Sequence, residues 1–91
     1  MTDEQLAIID DMAAHFMNPK EIAIVLGVDY DAFILLLSDP SSDEYSHYHK
    51  SKITSILEIR RKVVKMAKSG SPQAEMLVTG FMNDQKIKEE F

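Results

Sequence analysis

Residues 19–37 read PKEIAIVLGVDYDAFILLL, and the reading of this stretch decides the fold. Asn18-Pro19 is a start signal, because Asn can cap free N–H groups and Pro fits a first helical turn where its N–H is not needed. Ile22, Ala23, Val25 and Leu26 follow, and Gly27 ends the helix by tolerating a left-handed conformation. Asp29 can cap a third helix that runs to Ser38. The spacing predicts a helix-turn-helix. Ala23 is small where two helices cross, Gly27 lies at the turn four residues later, Val28 plugs the turn, and Phe33 and Leu36 point back, with Ile22 and Leu26 completing the inward set. An ordinary helical hairpin in a bundle is the alternative.

Working outward, Thr2-Asp3-Glu4-Gln5 fits a capping box. Leu6, Ile9, Ala13 and Phe16 then recur on one helical face. Asp39-Pro40-Ser41-Ser42 is a loop. A fourth helix is expected from Ser42 or Asp43 to just before Gly70, with polar first turns. Ser71-Pro72 opens a fifth, whose stripe is Ala74, Leu77, Val78 and Phe81. Gly80 weakens it by about 1 kcal/mol relative to Ala without ending it. NDQKIKEEF, residues 83–91, reads as a frayed end or tail. The expected fold is all-α: an N-terminal helix-turn-helix (homeodomain-like) bundle followed by a long helix and a C-terminal helix, about five helices. One domain, 1–91, is expected, with a helix-turn-helix part (1–38), a helical assembly part (42–82) and the tail.

Composition narrows the function classes. The chain has 91 residues, 45% of them hydrophobic, and no Cys. That is enough for one small core, and it excludes disulfides, cysteine nucleophiles and thiolate zinc sites. No stretch approaches the roughly 20 apolar residues of a membrane span. The acidic N-terminus does not resemble a targeting peptide. The net charge of -5 argues against a broad nucleic-acid-coating surface. It is nevertheless an average. Residues 1–49 hold ten acids and one base, a sum of -9; residues 50–68 hold seven bases and one acid, +6; residues 69–91 hold four acids and two bases, -2. An anion-binding surface belongs to the middle segment, which otherwise neutralises the acidic half within one chain or between subunits.

The outward positions of the third helix are Asp29, Tyr30, Asp31, Ala32, Ile34 and Leu35. Two are acids, which phosphates repel, and major-groove readers normally present Arg, Lys, Asn, Gln, Ser or Thr there. Ile34 and Leu35 join Phe33, Leu36 and Leu37 in one apolar run. This helix is therefore expected to be covered, by the later helices or by another subunit. On the fourth helix Ile53, Ile56, Leu57, Ile59, Val63, Val64, Met66 and Ala67 fill about half the circumference of a 100° wheel. Lys50, Arg61, Lys65 and Lys68 cluster on one flank, near Lys62 and Glu58. A stripe for the DNA backbone is one reading; a solvated face with a Glu58–Lys62 helical pair is the other. Arg60 falls within the apolar arc, so it is expected to pair with an acid of the N-terminal half or to sit at a subunit interface. The six methionines read mostly as core filler.

Catalysis finds little support. His47-Tyr48-His49 with Glu44 lacks metal-ligand spacing, and residues two apart do not share a helix face. The histidines are expected at the surface. The pairs Asp10-Asp11 and Glu89-Glu90 come without a cleft-building framework, and no Gly-rich phosphate loop exists. No catalytic residue, metal or cofactor is expected, and the chain is read as no enzyme.

Taken in order, the helix-turn-helix, the aspartate–proline loop SDPSSDEY, the start EYSHYHKSK and the long helix ILEIRRKVVKMAKSGSPQAEMLV resemble the small terminase subunits of tailed bacteriophages. Ala67, Gly70 and Ala74 fit the A-x-x-G-x-x-x-A helix junction of that family, and the resemblance covers about residues 12–82. It implies a non-enzymatic component of viral DNA packaging that binds double-stranded viral DNA in the cytoplasm of the bacterial host. It also implies a homo-oligomer that hands DNA to a large subunit with ATPase and nuclease activities, and no membrane. By position, Asn18–Ser38 would be the DNA-binding element and the fourth and fifth helices the assembly element. The third helix departs from the pattern in lacking basic residues. Contacts are therefore expected through phosphates at Lys20, Lys50, Lys52, Arg61, Lys65 and Lys68, with Tyr30 a further candidate. Ile34, Leu35, Arg60 and Phe81 are candidates for an oligomer or partner interface. The alternatives are a transcriptional regulator, or a protein–protein module that docks a partner on Phe33–Leu37 or on the Phe81–Phe91 stretch.

Overall fold

The structure is a computed structural model that describes the backbone of residues 1–89 and the side chains of residues 1–85. It is all-helical: α1 (Asp3–Ala14), α2 (Pro19–Leu26), α3 (Tyr30–Leu37), α4 (Asp43–Lys68) and α5 (Pro72–Glu89), with no strand among the described residues. The last helix continues through Asn83–Glu89, so the stretch read as an end or tail is helical to that point. The Glu89-Glu90 pair and the end of the Phe81–Phe91 stretch lie outside the described side chains. The chain divides into two compact units, Met1–Ser55 and Ile56–Phe91, with the boundary inside α4.

The first unit is built by local signals that agree with one another. Thr2 and Gln5 form the reciprocal capping box that opens α1, and Asn18 and Glu21 form a second one at α2. Asp29 accepts the Ala32 N–H at 3.0 Å and caps α3. Between α2 and α3 lie three residues. Gly27 takes φ +71°, and the Val28 N–H reaches back to the Ala23 carbonyl, closing the end of α2. Phe33, Ile9 and Ile22 are the largest fully buried side chains, and Leu6, Ala13, Ala23, Leu37 and Tyr48 complete the core. Removing side chains of that size from water contributes roughly 1.5–3 kcal/mol each.

Phe16 corrects the expected stripe of α1. The helix ends at Ala14, and Phe16 takes φ +62° with its side chain 47% exposed. Its N–H bonds the Ala13 carbonyl, and the Met17 N–H bonds the Met12 carbonyl. This is the same helix-ending pattern as at Gly27, made with a residue for which a left-handed backbone costs roughly 1–2 kcal/mol. α3 brings a second correction. Only Phe33 and Leu37 of its apolar run are buried; Leu36 and Ile34 are half-buried, and Leu35 is 73% exposed. Five successive helical residues point all round the axis, and one side of α3 alone meets the core.

The first half of α4 joins this unit through a polar seam. Glu44, Tyr48, Ser51 and Ser55 recur at intervals of four, three and four, and all are buried or half-buried. Glu44 meets the Met1 ammonium at 3.2 Å. Asp10 of α1 accepts the Ser51 hydroxyl at 2.9 Å and lies 2.9 Å from His47 Nδ1. The Ser55 hydroxyl donates to the Ala14 carbonyl. His47 is thus a tie between helices, half-shielded by its acid, and not the surface group expected. His49 is half-buried beside Tyr45 and Tyr48, whereas His15 is exposed. In the loop before α4 the Ser41 hydroxyl and N–H both donate to Asp39 and hold its carboxyl below the ordinary 3.8.

Candidate functional site

The second unit carries the densest group of cations. Its stretch of α4 turns Ile56, Arg60, Val63 and Ala67 inward to half-burial, again at intervals of four, three and four. α4 ends at Lys68, and Gly70 takes φ +96° while the Gly70 and Ser71 N–H groups close back onto Ala67 and Met66. The Ser71 hydroxyl then accepts the Ala74 N–H and starts α5. The A-x-x-G-x-x-x-A positions therefore form a glycine-turned helix junction, with Ala74 3% exposed. Of the expected α5 stripe, Ala74 is buried, Val78 and Phe81 are half-buried, and Leu77 is exposed.

Arg60 receives a partner other than the one expected. Its guanidinium carbon lies 4.4 Å from the centroid of the Phe81 ring, within the same unit. The electron-rich ring face offsets part of the cost of holding the charge among apolar neighbours.

Arg60 is also one wall of a groove. Leu57 and Val64 give the groove apolar surface, and Arg60, Arg61, Lys65 and Lys68 supply four cations. Arg61, Lys65 and Lys68 are exposed. Spacings of four and three residues put them along one side of the helix, about 10 Å from first to last at 1.5 Å per residue. None of them, and neither Glu58 nor Lys62, takes part in an ion pair among the described residues, so the expected Glu58–Lys62 pair is not formed. Lys65 and Lys68 also lie in the last turn of α4, where positive charge complements the helix dipole. That role requires no ligand, but it leaves three long side chains with free donors facing water. Chemically, the groove offers a fork of guanidinium donors and two ammonium groups to phosphate or carboxylate oxygens.

The other candidates belong to the first unit. Lys20 is exposed on α2, Tyr30 is 43% exposed at the start of α3, and Lys50 is exposed on α4. Lys52 is half-buried, with its Nζ 5.8 Å from the centroid of Tyr48. Ile34 and Leu35 lie on α3, Leu35 outermost. Met12 and Met17 pack against the core as filler, whereas Met66, Met76 and Met82 are more than half exposed, contrary to the reading of the methionines as mostly core. Sequence reasoning missed Asp10, His47, Ser51 and Ser55 as a hydrogen-bonded group, because no apolar period marks it. Among the described residues no group of three or more His, Asp or Glu is placed to hold a metal ion, and no helix is long and apolar enough to cross a membrane. No protein-family model, curated protein or solved structure matches this chain.

Proposed function

We propose that this chain is a non-enzymatic, DNA-binding subunit of a phage genome-packaging terminase, which holds viral double-stranded DNA, self-associates and passes the DNA to a large packaging subunit. The observation that supports this reading is the groove of the second unit, whose four cations form no ion pair among the described residues. Contact there is to phosphates, which positions DNA without reading its bases. The outer side of α3, with Asp31 and Leu35 exposed, presents no donor row to a major groove, so α3 does not serve as the reading helix. The helix order and the junction at Ala67, Gly70 and Ala74 support the terminase part of the reading.

The test is titration of duplex DNA, including the genome end, at several salt concentrations. Log affinity should fall linearly with log salt, by about 0.9 per phosphate neutralised. Replacing Arg61, Lys65 and Lys68 one at a time by Ala should each reduce that slope by about 1. Absence of any duplex binding at about 50 mM salt, where such contacts are strongest, removes the reading. A protein–protein module is favoured instead if DNA fails to bind while Leu35→Asp abolishes capture of a partner protein; the exposed Leu35 is the observation behind that second reading.

A further inference from the structure

Two open surfaces of this molecule match each other. On α3, Leu35 stands 73% exposed at the centre of the outer side. Asp31 lies one turn earlier on that side, exposed, and forms no ion pair among the described residues. No cation lies on α3 at all, and the segment from residue 1 to 49 carries -9. In the second unit the groove of α4 is the reverse: Leu57 and Val64 in its wall, with Arg61 and Lys65 exposed at its edge, in a segment that carries +6. An apolar side chain flanked by a carboxylate fits an apolar wall flanked by cations. A phosphate would satisfy the cations and leave Leu57 and Val64 in water.

We infer that α3 of one copy docks in the α4 groove of a second copy, with Leu35 against Leu57 and Val64, and Asp31 facing Arg61 and Lys65. This takes up the self-association in the proposed function and gives it surfaces, but it stands without DNA. The two patches differ, so the contact is heterologous. Each copy that offers its α3 keeps a free groove, and assembly continues until it closes into a ring or runs on as a filament. The patches are small and charged, so association is weak and salt-sensitive. Because the same cations serve DNA in the proposed function, DNA and a second copy compete for the groove.

Sedimentation velocity of the full chain, without DNA, tests the contact. Association is expected at about 50 mM salt and is expected to be lost at about 500 mM, where screening lengths shrink to a few ångströms. Asp31→Lys and Lys65→Glu, both at exposed positions, should each weaken association at least about tenfold, because each sets like charges against one another at the interface. A chain carrying both substitutions places Lys opposite Glu between copies and should recover most of the lost affinity. Leu35→Ala should weaken association without altering its salt dependence. Circular dichroism of each variant confirms that the helices persist. A chain that stays monomeric at about 50 mM salt overturns the inference, as does association indifferent to Asp31→Lys or a double variant no better than the single ones. DNA binding plays no part in these readouts, so loss of DNA binding leaves them intact, and a strictly monomeric chain that binds DNA overturns the contact and the self-association while leaving the DNA-binding part of the proposed function standing.

Discussion

In the first unit, Phe33, Ile9 and Ile22 are closed off from water, and four helical segments share one core. In the second, Ala74 is the single buried residue among those described, while Ile59, Met66, Met76, Leu77 and Met82 stand about half exposed or more. The two have similar apolar supply and opposite outcomes. The first closes a core around its three largest buried side chains, while Ile24, Val25, Leu35 and Ile53 stand more than half exposed on a surface that is otherwise acidic. The second holds two helical segments, which cannot enclose large side chains by themselves, and its surface is apolar and basic. The difference is that the second unit, taken by itself, leaves large apolar side chains and its cations open to water.

The largest expected effect separates the units by core substitution. Phe33→Ala should cost about 3–5 kcal/mol, the range for a fully buried aromatic, read from the denaturant midpoint of Met1–Ser55 amide protection. Phe81→Ala, which removes a half-buried ring and the Arg60 contact, should cost about 1 kcal/mol beyond the lost area, in the range of a cation–π pair. Equal costs at the two positions would break the comparison. Next in size, Asp10→Ala removes the acceptor shared by His47 and Ser51 and should cost about 1–3 kcal/mol, because partly buried donors are left unpaired. A chevron analysis that finds Asp10→Ala neutral would show the α1–α4 seam to be decoration. Smaller still are two backbone effects of opposite origin. Phe16→Gly relieves a left-handed backbone in the first unit, and Gly80→Ala adds a Cβ that meets nothing within 4 Å in the second. Each should stabilise by up to about 1 kcal/mol, seen as a rise of a few degrees in Tm.

Much of the first unit was legible in the sequence because local signals and long-range packing agree there. The caps at Thr2, Asn18 and Asp29, the turn at Gly27 and the inward set Leu6, Ile9, Ala13, Ile22, Ala23 and Phe33 all fall where residue type and spacing put them. Phe16 was misplaced because an apolar residue at the right interval gives no sign that the helix stops two residues earlier. The first half of α4 was illegible for another reason. Glu44, Ser51 and Ser55 are held through hydrogen bonds, with Tyr48 the one ring of that row in the core, and periodicity arguments register apolar faces only. Arg60 was recognised as anomalous from its place in the apolar arc. Its partner was missed because an aromatic ring across a helix junction leaves no charge signal. The basic group Arg61, Lys65 and Lys68 was visible from helical spacing alone, but the groove beside it required Leu57 and Val64 to be seen in place.

Asp10 has one more consequence, in heat capacity and temperature. Exposing apolar surface raises the heat capacity of unfolding and exposing polar surface lowers it. Releasing α4 from Asp10 and the Ala14 carbonyl exposes hydroxyl, imidazole and carboxylate groups along with the single Tyr48 ring, so opposing contributions offset and the change in a calorimeter's baseline should be small. Opening the core around Phe33 should register strongly. On cooling, the apolar contribution fades while the hydrogen bonds do not. Toward freezing, the first unit should therefore depend increasingly on its polar seam, and protection of the α1–α4 hydrogen bonds should outlast that of the core around Phe33.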